Sequence, residues 1–409
     1  MTLLARRAAV VVFLAFALTY FFSALLRAIT ATLAPTLTHE FALQASDLGL
    51  LAGGYFLGFA AIQLPLGRLL DRHGPRAVIL GFLVAAVAGC AAFALATSFS
   101  GLLAARVLCG VGVGACLMAP LTGFRRWLEP TAQLRANSWM LMTGSLGMVA
   151  STLPVQWLIP VIGWRALFWA LAVLIVLSMA VLACTVPCRT EEPPAAAAAG
   201  GQPGSYAQVW RHPYFRRMAP IGFFTYGGMI AMQTLWAGPW LVRVAGHAPV
   251  QAAAGLFVIN LCMLATFWSW GLLNPWLVRQ GLGTDRLIAW GQPLSFVAMA
   301  AIVVAGPAAG AWHWALFCVS STFVSLSQPA VGMAFPPALA GRALSAYNLV
   351  IFGGVFLVQW GIGLMIDAFG TAGLGPIEAF RAALVVFLLT SMASYGWFLA
   401  GKSHNHANA

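Results

Sequence analysis

The sequence predicts an all-α membrane protein in which twelve transmembrane helices form two pseudo-symmetric six-helix halves, and three observations predict it. The 409 residues are 61% hydrophobic and 7% charged, with a mean hydropathy of +0.89, far from the composition of soluble domains. Apolar runs long enough to cross about 30 Å of hydrocarbon as helices recur twelve times along the chain. One Pro-, Ala- and Gly-rich segment, 188–215, divides those runs six and six.

The first run, 8–35, follows the basic start MTLLARRAAVVVFLAFALTYFF. It is too long for a secretory signal and lacks a small-residue cleavage site, so it reads as a retained span. Spans two to six follow at 48–66, 77–97, 102–124, 137–160 and 165–187. Spans seven to twelve are 218–242, 252–274, 287–306, 312–335, 343–366 and 379–400, with polar interruptions in 252–274 and 312–335. The expected organisation is an amino-terminal bundle 1–187, a cytoplasmic linker 188–215 resembling a flexible tether, and a carboxyl-terminal bundle 216–409 with a short tail. Halves of this kind arise from internal repeats. PVQW at 154–157 and LVQW at 357–360, separated by 203 residues, are a trace of one. Gln156 and Gln359 then stand as equivalent residues, either facing a shared cavity or bonding neighbouring helices.

The formal net charge of +12 is topological. With the amino terminus inside, 16 of the 21 basic residues fall on cytoplasmic segments, from Arg6 and Arg7 through Arg68, Arg211 and Arg342 to Lys402. Arg165, Arg243 and Arg381 fall near outer ends, as the positive-inside rule allows. The expectation is a multi-pass protein of a bacterial-type inner membrane with both termini cytoplasmic. Basic residues spread over short loops give no face for nucleic acid. The seven cysteines show no metal-ligand spacing and read as small packing residues, and His404 and His406 lie on a polar tail. No metal, cofactor or catalytic cluster is expected, and the expected state is a monomer in the lipid bilayer.

None of the nine acidic residues lies well inside an apolar run, yet Arg27 and Arg106 do. An arginine at hydrocarbon depth costs roughly 2.5–3.5 kcal/mol on insertion scales, so it faces water or a bonding partner. Tyr20, Ser23, Arg27 and Thr30 follow one helical stripe in span one. That stripe points to a cavity in which a planar guanidinium binds an anion, most naturally a carboxylate. The alternative is an arginine snorkelling or bonded to carbonyls. In span four, Arg106, Gly110 and Gly114 share a face at i, i+4 and i+8. Arg106 either lines the cavity or bonds backbone carbonyls of a neighbouring helix.

The loop between spans two and three carries the most specific motif, within GYFLGFAAIQLPLGRLLDRHGPRAVIL at 54–80. Its Gly67, Asp71, Arg72, Gly74 and Arg76 resemble the G-x-x-x-D-R-x-G-x-R loop signature of the major facilitator superfamily, in the same position. The resemblance spans essentially the whole chain and implies two bundles working by alternating access, with these five residues as a conformational latch. Gly67 would permit close helix approach, and Asp71 would cap a helix or pair with an arginine. The corresponding loop NPWLVRQGLGTDR keeps Arg279 and Gly281 but has Val278 where an acid would align, which predicts a degenerate second latch. Organic-anion porters of the superfamily commonly carry a substrate-binding arginine in the first span, which Arg27 resembles. The segment QLPLGRLLDRHG resembles nitrate and nitrite porters, but Gln63 stands where their arginine would, and spans five and eleven lack their glycine- and asparagine-rich signature.

Further cavity candidates are Tyr55 and Gln63 in span two, Tyr226, Gln233 and Trp236 in span seven, Asn260 in span eight, Gln328 in span ten and Asn348 in span eleven. Tyr226, Gln233 and Trp236 share a stripe expected to face Arg27. The absence of an embedded acid predicts facilitated diffusion, exchange, or symport sharing the substrate's own proton. The function expected is transport of a small organic anion. An exporter of drugs or hydrophobic compounds is the alternative, favoured by 16 tryptophans and 27 phenylalanines but opposed by the missing acid. An enzyme would need clustered His, Asp, Glu or Cys, which the sequence does not show.

Overall fold

The computed structural model describes residues 4–187 and 206–401, and the described residues are helical throughout, without a strand. The Pro- and Ala-rich part of the linker, Cys188, Lys402 and the tail histidines lie outside them. The last part of the expected linker is not a tether, because Tyr206–Arg211 is a helix and Pro213–Pro220 opens span seven.

Nine helices among the described residues are long and apolar enough to cross a membrane. The other three expected spans are the broken ones. Span two is Ala45–Ala61 followed by a turn at Ile62, after which a helix runs from Gln63 into span three. Span five breaks between Pro130–Ala150 and the helix that starts at Leu153. Span seven alternates α and π turns, with π segments at Ile221–Tyr226 and Met232–Trp236.

Prolines place most of these breaks. A proline removes one backbone donor and its ring collides with the carbonyl four residues back. Pro65 follows the Ile62 break and Pro154 the Ser151–Thr152 break. Pro120 follows the turn 114–117 in span four, and Pro329 follows the 3-10 segment Thr322–Leu326 in span ten. Reversals between consecutive spans use left-handed glycines: Gly74 (φ 78°), Gly163 (φ 74°), Gly281 (φ 75°) and Gly373 (φ 96°). They stand after spans two, five, eight and eleven, and Gly246 (φ 71°) and Gly306 (φ 55°) take the same left-handed conformation after spans seven and nine.

The described chain forms two compact units, Met1–Phe41 with Gly54–Gln202, and Ala42–Gly53 with Pro203–Ala409. The expected boundary between the bundles is therefore crossed once, by the outer half of span two, which clusters with the second unit.

In unit one, spans two and four meet at backbone distance. A Cβ on Gly110 would fall 1.9 Å from the Tyr55 carbonyl oxygen, and one on Gly58 would fall 2.1 Å from the Val107 carbonyl oxygen. Only glycine permits that approach, the usual basis of membrane helix association. At the outer end, Glu40 receives Trp164 Nε1 at 2.6 Å and Arg165 Nη1 at 2.5 Å, tying span one to span six.

In unit two, Arg217 anchors the inner end. It pairs with Asp285, donates through Nε to the Phe398 carbonyl at 2.8 Å, and stands over the Phe398 ring. Tyr214 donates its hydroxyl to the same Asp285 at 2.9 Å. Asp285 thereby holds the start of span seven within its own unit.

Candidate substrate site

Unit one brings Arg27, Tyr20, Tyr55 and Arg106 of the expected residues into one cluster. Arg27 is half-buried in span one with its guanidinium 5.7 Å from the centre of the Phe59 ring. The hydroxyls of Tyr20 and Tyr55 are the polar groups that interact with it. Its Nε has no hydrogen-bond partner among the described residues. Tyr55 is held in place by donating to the Ser23 carbonyl at 3.0 Å, and its ring lies between the two arginines.

Arg106 is completely buried. It donates from Nη1 to the Leu26 carbonyl at 2.9 Å and stands 5.1 Å from the centre of the Tyr55 ring. Its Nε and Nη2 have no partner among the described residues. One carbonyl and a ring face replace the counter-ion that such a charge normally requires. The two arginines therefore differ. Arg106 is packed against the backbone of span one, while Arg27 projects from that span toward the tyrosines. The stripe expected in span one forms, with Tyr20, Ser23 and Thr30 all buried beside Arg27.

Other candidates in this unit do not join the cluster's hydrogen bonds. Gln63 donates to the Phe59 carbonyl, four residues back across the Ile62 turn, at 3.2 Å. Gln156 is 9% exposed in span five, beyond the Thr152 break. In the loop, Arg76 donates to the Ala183 carbonyl at the end of span six, and Gly74 is the left-handed residue that separates spans two and three. Asp71 and Arg72 are exposed. A Cβ on Gly67 would meet nothing within 4 Å, so the close approach expected there is not made.

In unit two the polar candidates bond to neighbouring helices, although Gln359 Oε1 has no partner among the described residues. Gln233 donates to Asn260 Oδ1 at 3.0 Å, joining spans seven and eight, and Gln328 donates to Asn348 Oδ1 across spans ten and eleven. Gln359 donates to Thr234 Oγ1 at 3.0 Å, and its carbonyl receives Trp236 Nε1 at 3.2 Å. The α-helical stripe read through Tyr226, Gln233 and Trp236 does not survive the π segment Met232–Trp236, which widens the turn. Gln233 goes to span eight and Trp236 to span eleven, while Tyr226 remains half-buried.

A group that the sequence did not single out caps the outer end of span two. Asp367, near the end of span eleven, accepts from the Ala45 amide at 3.1 Å and the Ser46 amide at 2.7 Å. Beneath it, Cβ atoms on Gly49 and Gly363 would fall 2.4 Å from the Gln359 carbonyl oxygen and 2.3 Å from the Ala45 carbonyl oxygen. A cleft of about 430 Å³ beside this contact is lined by Arg243, Asp367 and Gln44 among others. The signal was available only as glycine spacing in GLLAGGYFLG, where Gly49 and Gly53 face span eleven and Gly54 and Gly58 face span four.

Membrane-spanning helices, proline-broken spans and a polar cluster inside a bundle are the features of a polytopic membrane transporter. The chain belongs to the Major Facilitator Superfamily, whose profile matches residues 16–359. Over 405 residues it is 24% identical to the 4-hydroxybenzoate transporter PcaK of Acinetobacter baylyi, covering 88% of this chain and 86% of that protein. It is 31% identical over 176 residues to the multidrug resistance protein MdtL of Escherichia coli, covering 39% of this chain and 40% of that one. Its fold is similar to that of a bacterial homologue of the human lysosomal transporter Spinster, solved inward-facing and unoccupied. There the TM-score is 0.78 at 19% identity, over 97% of this chain and 98% of that one. A D-xylose–proton symporter also gives a TM-score of 0.78, at 14% identity, over 98% and 99% of the two chains.

Proposed function

We propose that the protein carries a small organic anion, a carboxylate, across the cytoplasmic membrane by alternating access, with Arg27 as the anion-binding group. The observation that carries this reading is the Arg27 guanidinium. It sits inside an apolar bundle, attended by two tyrosine hydroxyls and an aromatic face, with Nε unpartnered and no carboxylate paired to it among the described residues. A carboxylate would take the guanidinium in a bidentate pair, and Tyr20 can donate to the same oxygens, while Tyr55 keeps its hydrogen on the Ser23 carbonyl. The ring of Phe59 suits a substrate with an aromatic body. The name of the Acinetobacter relative, a hydroxybenzoate transporter, supports that class.

The bundles 1–187 and 216–409 are the moving bodies in this reading, with both termini cytoplasmic and a monomer as the working unit. Gly67, Asp71, Arg72, Gly74 and Arg76 act as the inner latch. Export of drugs is the second reading, supported by the partial similarity to a multidrug resistance protein.

The test is a thermal-shift screen of the purified protein against benzoates, aliphatic carboxylates, nitrate and cationic drugs, followed by liposome uptake of any hit. Saturation at a hundredfold above the dissociation constant adds about 2.7 kcal/mol of stability. A carboxylate should stabilise the wild type and not Arg27→Ala. Stabilisation by cationic drugs in both proteins would overturn the assignment and favour export.

A further inference from the structure

A second polar site lies in unit two, apart from every residue assigned to substrate above. A small cavity of about 10 Å³ among spans seven, nine, ten and twelve is lined by Thr225, Gln292, Ser295, Ser321 and Ser391, and otherwise by apolar side chains. Gln292 is completely buried and Ser391 is 3% exposed.

The hydrogen bonds around this cavity leave two atoms over. Ser295 Oγ donates to the Gln292 carbonyl at 2.8 Å and receives Gln292 Nε2 at 2.6 Å. Ser321 Oγ donates to the Phe317 carbonyl at 2.7 Å. The hydroxyls of Thr225 and Ser394 bond each other at 3.0 Å. Gln292 Oε1 and Ser391 Oγ have no partner among the described residues, and both residues line the cavity. Turning the Gln292 amide over would only exchange an unpartnered acceptor for an unpartnered donor.

We propose that this cavity is a binding site for one water molecule. The water donates to Gln292 Oε1, accepts from the Ser391 hydroxyl, and gives its second hydrogen to a lone pair of Ser321 or Thr225. The volume is on the order of what one water requires, and the partners number within the range buried waters use. A metal cation fits less well, because no carboxylate lines the cavity to balance it. The water joins spans nine and twelve beside Thr225, which lies on the π segment of span seven. The least regular span of the unit is thereby fastened through an exchangeable molecule and not by side-chain contact alone.

Two measurements test it. A density map at a resolution where ordered waters are visible should show one peak within hydrogen-bond distance of Gln292 and Ser391. Thermal melts should then show strong coupling between Gln292→Leu and Ser391→Ala. Each single variant leaves the water or its partner unsatisfied and lowers the midpoint. The double variant, which removes both anchors, should lower it by less than the sum of the two. Additive losses together with no peak would overturn the proposal. A midpoint that rises in sodium relative to choline, and loses that rise in Ser391→Ala, would overturn it in favour of a cation.

Discussion

At the scale of single residues, what separates one arginine from another is what the neighbouring helix offers it. Arg106 has the Leu26 carbonyl and the Tyr55 ring, and its burial is complete. Arg27 has the hydroxyls of Tyr20 and Tyr55 beside it, the latter already given to the Ser23 carbonyl. Arg27→Lys should therefore keep the fold and lose most of the carboxylate-induced thermal shift, since an ammonium cannot make the bidentate pair. Retention of the full shift in Arg27→Lys would show that charge alone suffices. Close packing sets a second expectation. Gly110→Leu places a side chain where the Tyr55 carbonyl lies 1.9 Å from the Cβ position. Overpacking of this kind costs typically about 1–3 kcal/mol or more, and here the obstacle is backbone. The variant should aggregate on size exclusion at temperatures the wild type tolerates. Both arginines were legible in the sequence as lone charges in apolar runs, and Gly110 by its spacing from Arg106. Which arginine is tied to the backbone of a neighbouring helix was not, because that depends on a carbonyl 80 positions away.

At the scale of elements, two carboxylates hold helix ends. Asp367 accepts two amides at the amino terminus of span two, where the helix dipole adds to the attraction. Losing an N-cap costs about 0.5–2 kcal/mol. Asp367→Ala should raise hydrogen exchange in the peptide covering 44–50 while leaving span eleven protected. Unchanged exchange there would show that this end is held by its glycine seam alone. Asp285 holds span seven through Arg217 and Tyr214. Asp285→Asn should destabilise by less than the roughly 3–5 kcal/mol lost when a fully buried pair is broken, because the Asp285 side chain is 24% exposed. Replacing both members, Arg217→Met with Asp285→Leu, should recover part of that loss in a thermal melt. The breaks in spans two, four, five and ten were readable from Pro65, Pro120, Pro154 and Pro329 once the helix register is known. The π turns of span seven were not, since its sequence carries a regular polar stripe that an ordinary α-helix would satisfy.

At the scale of the whole molecule, twelve crossings and a one-sided arginine distribution predict both termini on the cytoplasmic side. Fusions of a reporter active only outside the membrane, made at residue 204 and after Ala409, should both be silent, and one after Gly246 should be active. Activity at Ala409 with silence at 204 would remove one crossing from the second half.

The sequence by itself determined that this is a helical membrane protein of twelve spans with a family-specific loop and two arginines where hydrocarbon should be. Composition and period carry that information locally, residue by residue. Tertiary structure decided which polar groups remain available. Gln233, Gln328 and Gln359 are taken up by Asn260, Asn348 and Thr234. Asp367 spends its charge on a helix 322 residues away. A polar residue in a membrane must find a partner, and only the packed helices determine whether that partner is another side chain, the backbone, a water or the substrate.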